Sequence, residues 1–417
     1  MTDRIWRFLT SLRLTVVLLA FSIVLVFVGT VAQADEGLYQ AQERYFKQWI
    51  VWGISLFGHK VPLPLPGGYL LGMMLLVNLV AGHIKRFEWG WRKLGIHLTH
   101  AGIILLLVGQ LTTDLFSRET QMRFTEGETR NYSESAMNHE LVFIADADAN
   151  TQEIVAIPIR LLARGDELRH ESLPFTIRVK SYWPNSEPAF RAPMQQPSEP
   201  PLTTNGIGRH FDFKPAEETH KMEDRNIPTA VIEIVPPKGP PGTWVVSAWA
   251  GDESLVSAVR ANYARQAGPE MGQQIASHLT APQTVEAGGK TWAFTLRPAR
   301  VYNPFSITLL KTTHKVYPGT DIPKDFRSRV RIENPQTAEN REVEIFMNSP
   351  LRYGGLTFYQ YQMGRDELDA NRGSSTLQVV RNPSWLTPYA GCIIVGVGLL
   401  VQFMIHLFGF VSRKKAA

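Results

Sequence analysis

Four long apolar blocks stand apart from a polar middle in this 417-residue chain, and that segregation limits the fold more than any other feature. A helix needs about 20 predominantly apolar residues to cross a bilayer core. Residues 12–32, 68–84 and 94–112 meet this requirement or come close to it, and a fourth block runs from Leu386 to Phe410. The mean hydropathy of -0.11 therefore averages two unlike populations. We expect a membrane protein with three transmembrane α-helices in residues 1–113 and a fourth in residues 385–417, followed by a basic cytoplasmic tail. Between them, residues 114–384 form a large extracytoplasmic β-rich domain, sandwich-like, with one helical insertion.

Charged flanks orient these spans. Arg4, Arg7 and Arg13 surround the start of the first block, while Lys85, Arg86, Arg92 and Lys93, with Trp89 and Trp91, separate the second from the third. Arg413, Lys414 and Lys415 follow the last. Cationic loops stay on the cytoplasmic side and tryptophan favours the interface, so both termini are cytoplasmic and the large domain lies outside. Ala32-Gln33-Ala34 resembles a signal-cleavage site, but the apolar run Leu14–Val31 exceeds the usual signal core of about 7 to 15 residues, so a retained helix is the better reading. The flanks also account for much of the net charge of +5, which calls for no nucleic-acid partner. The single cysteine, Cys392, falls in the last block, which rules out a disulfide or thiolate metal site in the outer domain; it reads as a buried small residue.

Period-two alternation recurs through the middle, in Phe175–Lys180, Ala230–Val235, Lys290–Arg297, Val330–Glu333, Glu342–Phe346 and Thr376–Val380, as half-buried strands require. Two stretches depart from it. Residues 184–228, where many prolines stand among serine, glutamate, threonine and asparagine, read as an exposed excursion with little regular structure. Asp252–Leu279 has helical spacing with a break at Gly268-Pro269. Ahead of the second block, residues 40–57 form an aromatic amphipathic segment, read as an interfacial helix on the outer leaflet or a lid on the β domain.

His97 and His100 lie inside the third block, and imidazole in a bilayer needs a reason. A spacing of three puts both on one helix face, and His100 lies roughly 9 Å in from Leu94. Helix packing by hydrogen bonds, haem ligation and a proton path all remain open on spacing alone. His83 and His406 lie near the same leaflet and are candidates for a second imidazole or for snorkelling to the interface. His139, His170, His210, His220, His278 and His314 lack metal-ligand spacing and read as surface or loop residues. The chain has no C-x-x-C-H, nucleophile elbow, P-loop or kinase signature, so no catalytic residue is assigned.

Three early spans, a large outer β-rich domain and one final span resemble the ResB family of the system II cytochrome c biogenesis pathway. Phe8–Leu19, His97–Ile104 and Asn348–Gln360 carry the local likeness. The resemblance implies a non-catalytic or supporting subunit of a holocytochrome c synthase in the bacterial inner membrane, with the β-rich domain periplasmic. It implies a complex with a ResC/CcsA-type membrane protein that passes haem b to apocytochrome c, with thiol-reductant proteins of the pathway and membrane lipid as further partners. It also implies a histidine early in the third span as an axial haem-iron ligand; His100 matches best, with His97 in reserve. The partner's tryptophan-rich W-G-x-x-W-x-W-D motif has no counterpart here. Two other classes stay open: a cytochrome b-type electron-transfer subunit with an intrachain bis-histidine haem, and a membrane-anchored periplasmic binding domain without haem.

Overall fold

The computed structural model describes residues 2–56, 59–146, 151–165, 167–191, 201–203, 205–219, 225–319, 323–365 and 372–416. The chain opens with α1 (Thr2–Leu9), α2 (Leu12–Glu36) and α3 (Leu38–Ala41), then strands β1 (Ile50–Leu56) and β2 (His59–Pro66), then α4 (Gly68–Lys85) and α5 (Leu94–Phe116). A run of strands follows: β3 (Arg118–Thr125), β4 (Thr129–Asp146) and β5 (Gln152–Pro158), the one-turn α6 (Ile159–Leu162), then β6 (Glu167–Leu168), β7 (Thr176–Trp183), β8 (Ser186–Phe190), β9 (Phe211–Pro215), β10 (Thr229–Val235) and β11 (Gly242–Ser247). Helices α7 (Ala248–Gly251), α8 (Glu253–Ala267) and α9 (Pro269–Leu279) precede β12 (Gln283–Ala287), β13 (Lys290–Val316), β14 (Pro323–Asn334), β15 (Glu339–Phe346), β16 (Leu351–Tyr353), β17 (Leu356–Arg365) and β18 (Gly373–Arg381). Helix α10 (Thr387–Ala416) closes the chain. Two compact units result: Met1–Arg118 with Arg381–Ala417, and Glu119–Thr219 with Arg225–Val380.

In the helical unit, Leu12–Glu36, Gly68–Lys85, Trp91–Phe116 and Thr387–Val411 are long and apolar enough to cross a membrane. The helices run on past the apolar blocks, to Glu36 and Phe116 rather than 32 and 112, because the backbone ladder continues wherever the next N–H finds its carbonyl. Packing between α5 and α10 is set by glycine. A Cβ at Gly95 would come within 2.6 Å of the Gly398 carbonyl oxygen, and one at Gly102 within 2.9 Å of that of Gly391. Cys392, next to Gly391, is exposed rather than buried: the glycine takes the close-approach position and turns its neighbour outward.

One polar side chain inside α4 explains how α1 meets α2. Asn78, 4% exposed, donates to the Leu9 and Ser11 carbonyls at 2.6 and 3.2 Å and accepts from Thr15 at 2.6 Å. Lys85 and Arg86 bond the hydroxyl and carbonyl of Thr10, each at 3.0 Å. These bonds tie α4 to the break between the two helices, where the carbonyls of the last turn of α1 lack a following turn to donate to them. Asn78→Leu removes the bonds to Leu9, Ser11 and Thr15, at about 1–3 kcal/mol for a buried group left unpaired. A lower thermal unfolding midpoint in detergent is the expected result, with Thr15→Val producing a smaller drop.

Residues 40–57 do not form one amphipathic helix. The described part holds α3, a π-turn at Gln42–Phe46 and strand β1, which pairs antiparallel with β2; Phe57 lies outside the described residues. Alternation of apolar and small residues in Trp52–Leu56, after the β-branched Ile50 and Val51, favours a strand. Pro62, Pro64 and Pro66 fall on alternate residues of β2, so their missing N–H groups can all face its unpaired edge. Tyr45, Val51, Ile54 and Leu65 pack with Leu18, Leu25 and Leu71 in the core of this unit.

The β unit is built on two long strands. β4 and β13 pair along most of their length and carry a separate core at each end. At one end, the sheet β11-β10-β7-β6 and the strands β12, β13, β4 and β5 enclose Phe143, Phe175, Ile232, Trp292 and Leu296 between them, so the large β-rich domain is present. At the other, β3 and β14–β18 continue the sheet around Met122, Phe305, Ile332, Phe358 and Leu377. The helical insertion is present as α8 and α9, broken at Gly268, whose φ of +94° suits glycine. Residues 184–228 are more ordered than their composition suggests. β8 and β9 pair, and Ile207, Phe211 and Phe213 are buried against Val231, Val245, Val259 and Ile275, so apolar residues between the prolines reach a core. Residues 192–200, 204 and 220–224, with His220, lie outside the described residues.

His139 on β4 is also buried, not a surface residue. Burial pushes its imidazole down to about 4, with Asp252 opposing and Arg225 reinforcing the shift. A depressed folded-state value means the unfolded chain takes the proton first. His139 therefore contributes stability that is present above pH 6.5 and is lost as the pH falls towards 4, on the order of 3 kcal/mol in all. Thermal midpoints of the solubilised protein from pH 7 to pH 4 should fall less steeply in His139→Gln than in the parent.

Candidate functional site

The short turn between α4 and α5 decides which residues meet. Two antiparallel helices joined by a tight connection bring residues equally far from its centre to the same depth. His83 and His97 each lie seven residues from Gly90. The rings of His83 and His97 are indeed edge to face with centroids 5.1 Å apart, and His83 lies 5.3 Å from His100. Phe87 closes the cluster, 4.7 Å from His97 and 5.8 Å from His83. On α5, at about 100° per residue, the histidine face is opposite the Gly95–Gly102–Gly109 face that meets α10.

Hydrogen bonds set the tautomers. His100 Nδ1 lies 2.8 Å from the Ile96 carbonyl and His97 Nε2 lies 2.9 Å from the Glu88 carbonyl. A carbonyl only accepts, so each of these nitrogens carries the proton and donates, leaving a lone pair on His100 Nε2 and on His97 Nδ1. His97 Nδ1 is buried without any hydrogen-bond partner. This is the form in which imidazole ligates a metal, its other nitrogen anchored by a backbone oxygen. Among the described residues no group of three or more histidine, cysteine, aspartate or glutamate side chains is arranged to hold a bare metal ion. Haem iron, whose equatorial positions are already filled by the porphyrin, asks the protein for one or two axial donors of this kind, so the donor set fits haem better than a free cation.

The sequence singled out His100 and His97, with His83 and His406 as candidates for a second imidazole, and of those two the structure brings His83 to them. The turn arithmetic around Gly90 was the available signal for that residue; for Phe87 there was none. His406 is not in the cluster: it is exposed on α10 and bonded to Gln402 on its own helix at 2.9 Å. In the β unit, His210 and His278 stack at 4.5 Å, His314 packs on Phe326 at 4.3 Å and His170 is exposed.

Fold and cluster together define a class: helices fit to cross a membrane, a large β unit, and imidazoles gathered between two of the helices. Residues 269–373, from the start of α9 to the first residue of β18, match the model of the ResB-like family. A stretch of 103 residues is 32% identical to Protein NrfI of Wolinella succinogenes, taking in 25% of this chain and 11% of NrfI. This chain thus spans about a ninth of that relative's length. The two matches support a ResB-family protein, the family that the sequence resembles. The family match takes in Asn348–Gln360 and excludes the histidine cluster, so family and site are independent observations.

Proposed function

We propose that this chain is a membrane subunit of a cytochrome c biogenesis complex that holds haem b through His100 and helps pass it to apocytochrome c. NrfI is a cytochrome c biogenesis protein, and kinship with it and with the ResB-like family favours that process. The observation that carries the haem assignment is the pair of imidazole lone pairs freed by carbonyl bonds on one face of α5. Bound haem would supply an iron that accepts such a lone pair. The backbone bond from His100 Nδ1 to Ile96 fixes the direction of its Nε2, and Phe87 packs against the rings of His83 and His97.

In this reading the helices cross the bacterial inner membrane with the cationic 85–93 turn inside, which puts His100 in the cytoplasmic half of the bilayer and the β unit in the periplasm. A ResC/CcsA-type protein supplies the second axial imidazole. Co-expression with such a partner should yield a complex with a low-spin haem spectrum, and deleting this chain should stop cytochrome c maturation. A co-purified complex without haem, or normal maturation in the deletion strain, sinks the proposal.

A further inference from the structure

We propose that His83, on α4, belongs to the same haem site as the chain's own second axial ligand, paired with His100 until an imidazole from another protein replaces it. This rests on the reading of His100 as a haem ligand. Three observations lead to it. The His83 ring is 5.3 Å from that of His100 and 5.1 Å from that of His97, so three imidazoles share one place on an otherwise apolar pair of helices. The lone pairs of His97 Nδ1 and His100 Nε2 are left over by the backbone bonds, and the former is buried with no partner. His83, like His97 and His100, is half-buried, so three imidazoles gather on one partly covered face. Buried polar atoms without partners are rare unless something binds them.

His83 is placed to act before any partner does. It sits one residue before Ile84 and the cationic turn, at the end of α4 nearest that turn, and Phe87 bridges it to His97. Haem approaching from the turn thus meets His83 and His97 first and His100 one helical turn further in. Handover is a ligand exchange: the coordinate bond from iron to a His83 nitrogen breaks as one to the incoming imidazole forms. Iron keeps its oxidation state, His83 returns to a neutral imidazole, and no proton moves.

The test uses the full chain, purified in detergent without a partner and titrated with ferric hemin. The parent should give a six-coordinate, low-spin spectrum. His83→Ala should give a five-coordinate, high-spin spectrum and bind hemin at least about tenfold more weakly, while His83→Met, which restores a ligand, should return it to low spin. In the complex with a ResC-type partner, His83→Ala should stay low-spin. In a Cys392→Ser background, His83→Cys combined with His100→Cys should give a pair that a short bifunctional thiol reagent joins in the absence of hemin. The proposal is overturned if His83→Ala leaves the lone chain's spectrum unchanged, if the lone parent chain never becomes low-spin, or if the cysteine pair is not joined. None of these disturbs the reading of His100, which fails instead if the partner complex keeps its haem in His100→Ala.

Discussion

His100→Ala is expected to empty the co-purified complex of low-spin haem and to reduce cytochrome c maturation by more than about 100-fold. Losing a residue that merely orients a metal ligand costs 10–100-fold in affinity, so removing the ligand itself should exceed that. The backbone bond between His100 Nδ1 and Ile96 has no bearing on fold, since it links a side chain to its own helix, so the variant should insert and pack normally. Full-length protein at parental abundance, checked by immunoblot, separates lost ligation from lost folding. His97→Ala is the matched control. Its ring bonds to Glu88 in the turn, outside the helix, and packs on Phe87, so it should lower haem content by less than about tenfold. Exogenous imidazole should restore part of the low-spin spectrum to His100→Ala, because a free imidazole can occupy the space the side chain leaves. Reversal of the two variants would make His97 the ligand, and parental haem in both would remove the site from this face of α5.

The α-helices were legible because bilayer-length apolar runs admit few alternatives, and the strands because alternation survives at Phe175–Lys180 and Lys290–Arg297. Failures came where tertiary contacts override composition. Residues 40–57 read as one amphipathic helix or a lid but include a strand paired with the proline-bearing β2, since a two-stranded ribbon leaves one edge free for Pro62, Pro64 and Pro66. Residues 184–228 read as an exposed excursion because prolines recur through the stretch; its phenylalanines, Phe190, Phe211 and Phe213, pack in or against the core beside α8 and α9. At the site, helical spacing joined His97 to His100 on one helix, but choosing between His83 and His406 as their neighbour required knowing which faces of α5 meet α4 and α10. The glycines held that information. Gly95, Gly102 and Gly109 recur at intervals of seven, as do Gly391 and Gly398, and mark the faces on which α5 and α10 approach.

Those glycines carry the second large effect. A Cβ at Gly102 would lie 2.6 Å from Val395 Cγ2 and 2.9 Å from both the Gly391 carbonyl oxygen and the Val395 nitrogen. Two of these three atoms are backbone, which cannot swing aside as a side chain end does, so Gly102→Leu must push α5 and α10 apart. Overpacking of a close contact costs about 1–3 kcal/mol where side chains can repack, and here the added bulk meets main chain. Ser384 bonds both Thr113 and the Gly109 carbonyl at 2.6 and 3.2 Å, so separation strains these polar contacts as well. A clear drop in thermal midpoint is expected. Gly396→Leu gives the control: on the same α10, a Cβ there meets nothing within 4 Å, and stability should stay near parental. The histidine face of α5 lies opposite the glycine face, so a displaced α5 also shifts His97 and His100 against His83. Gly102→Leu should thus lose low-spin haem although every imidazole is present. If haem is retained while the midpoint falls, the α4–α5 pair holds the site by itself, and α10 contributes stability without positioning it.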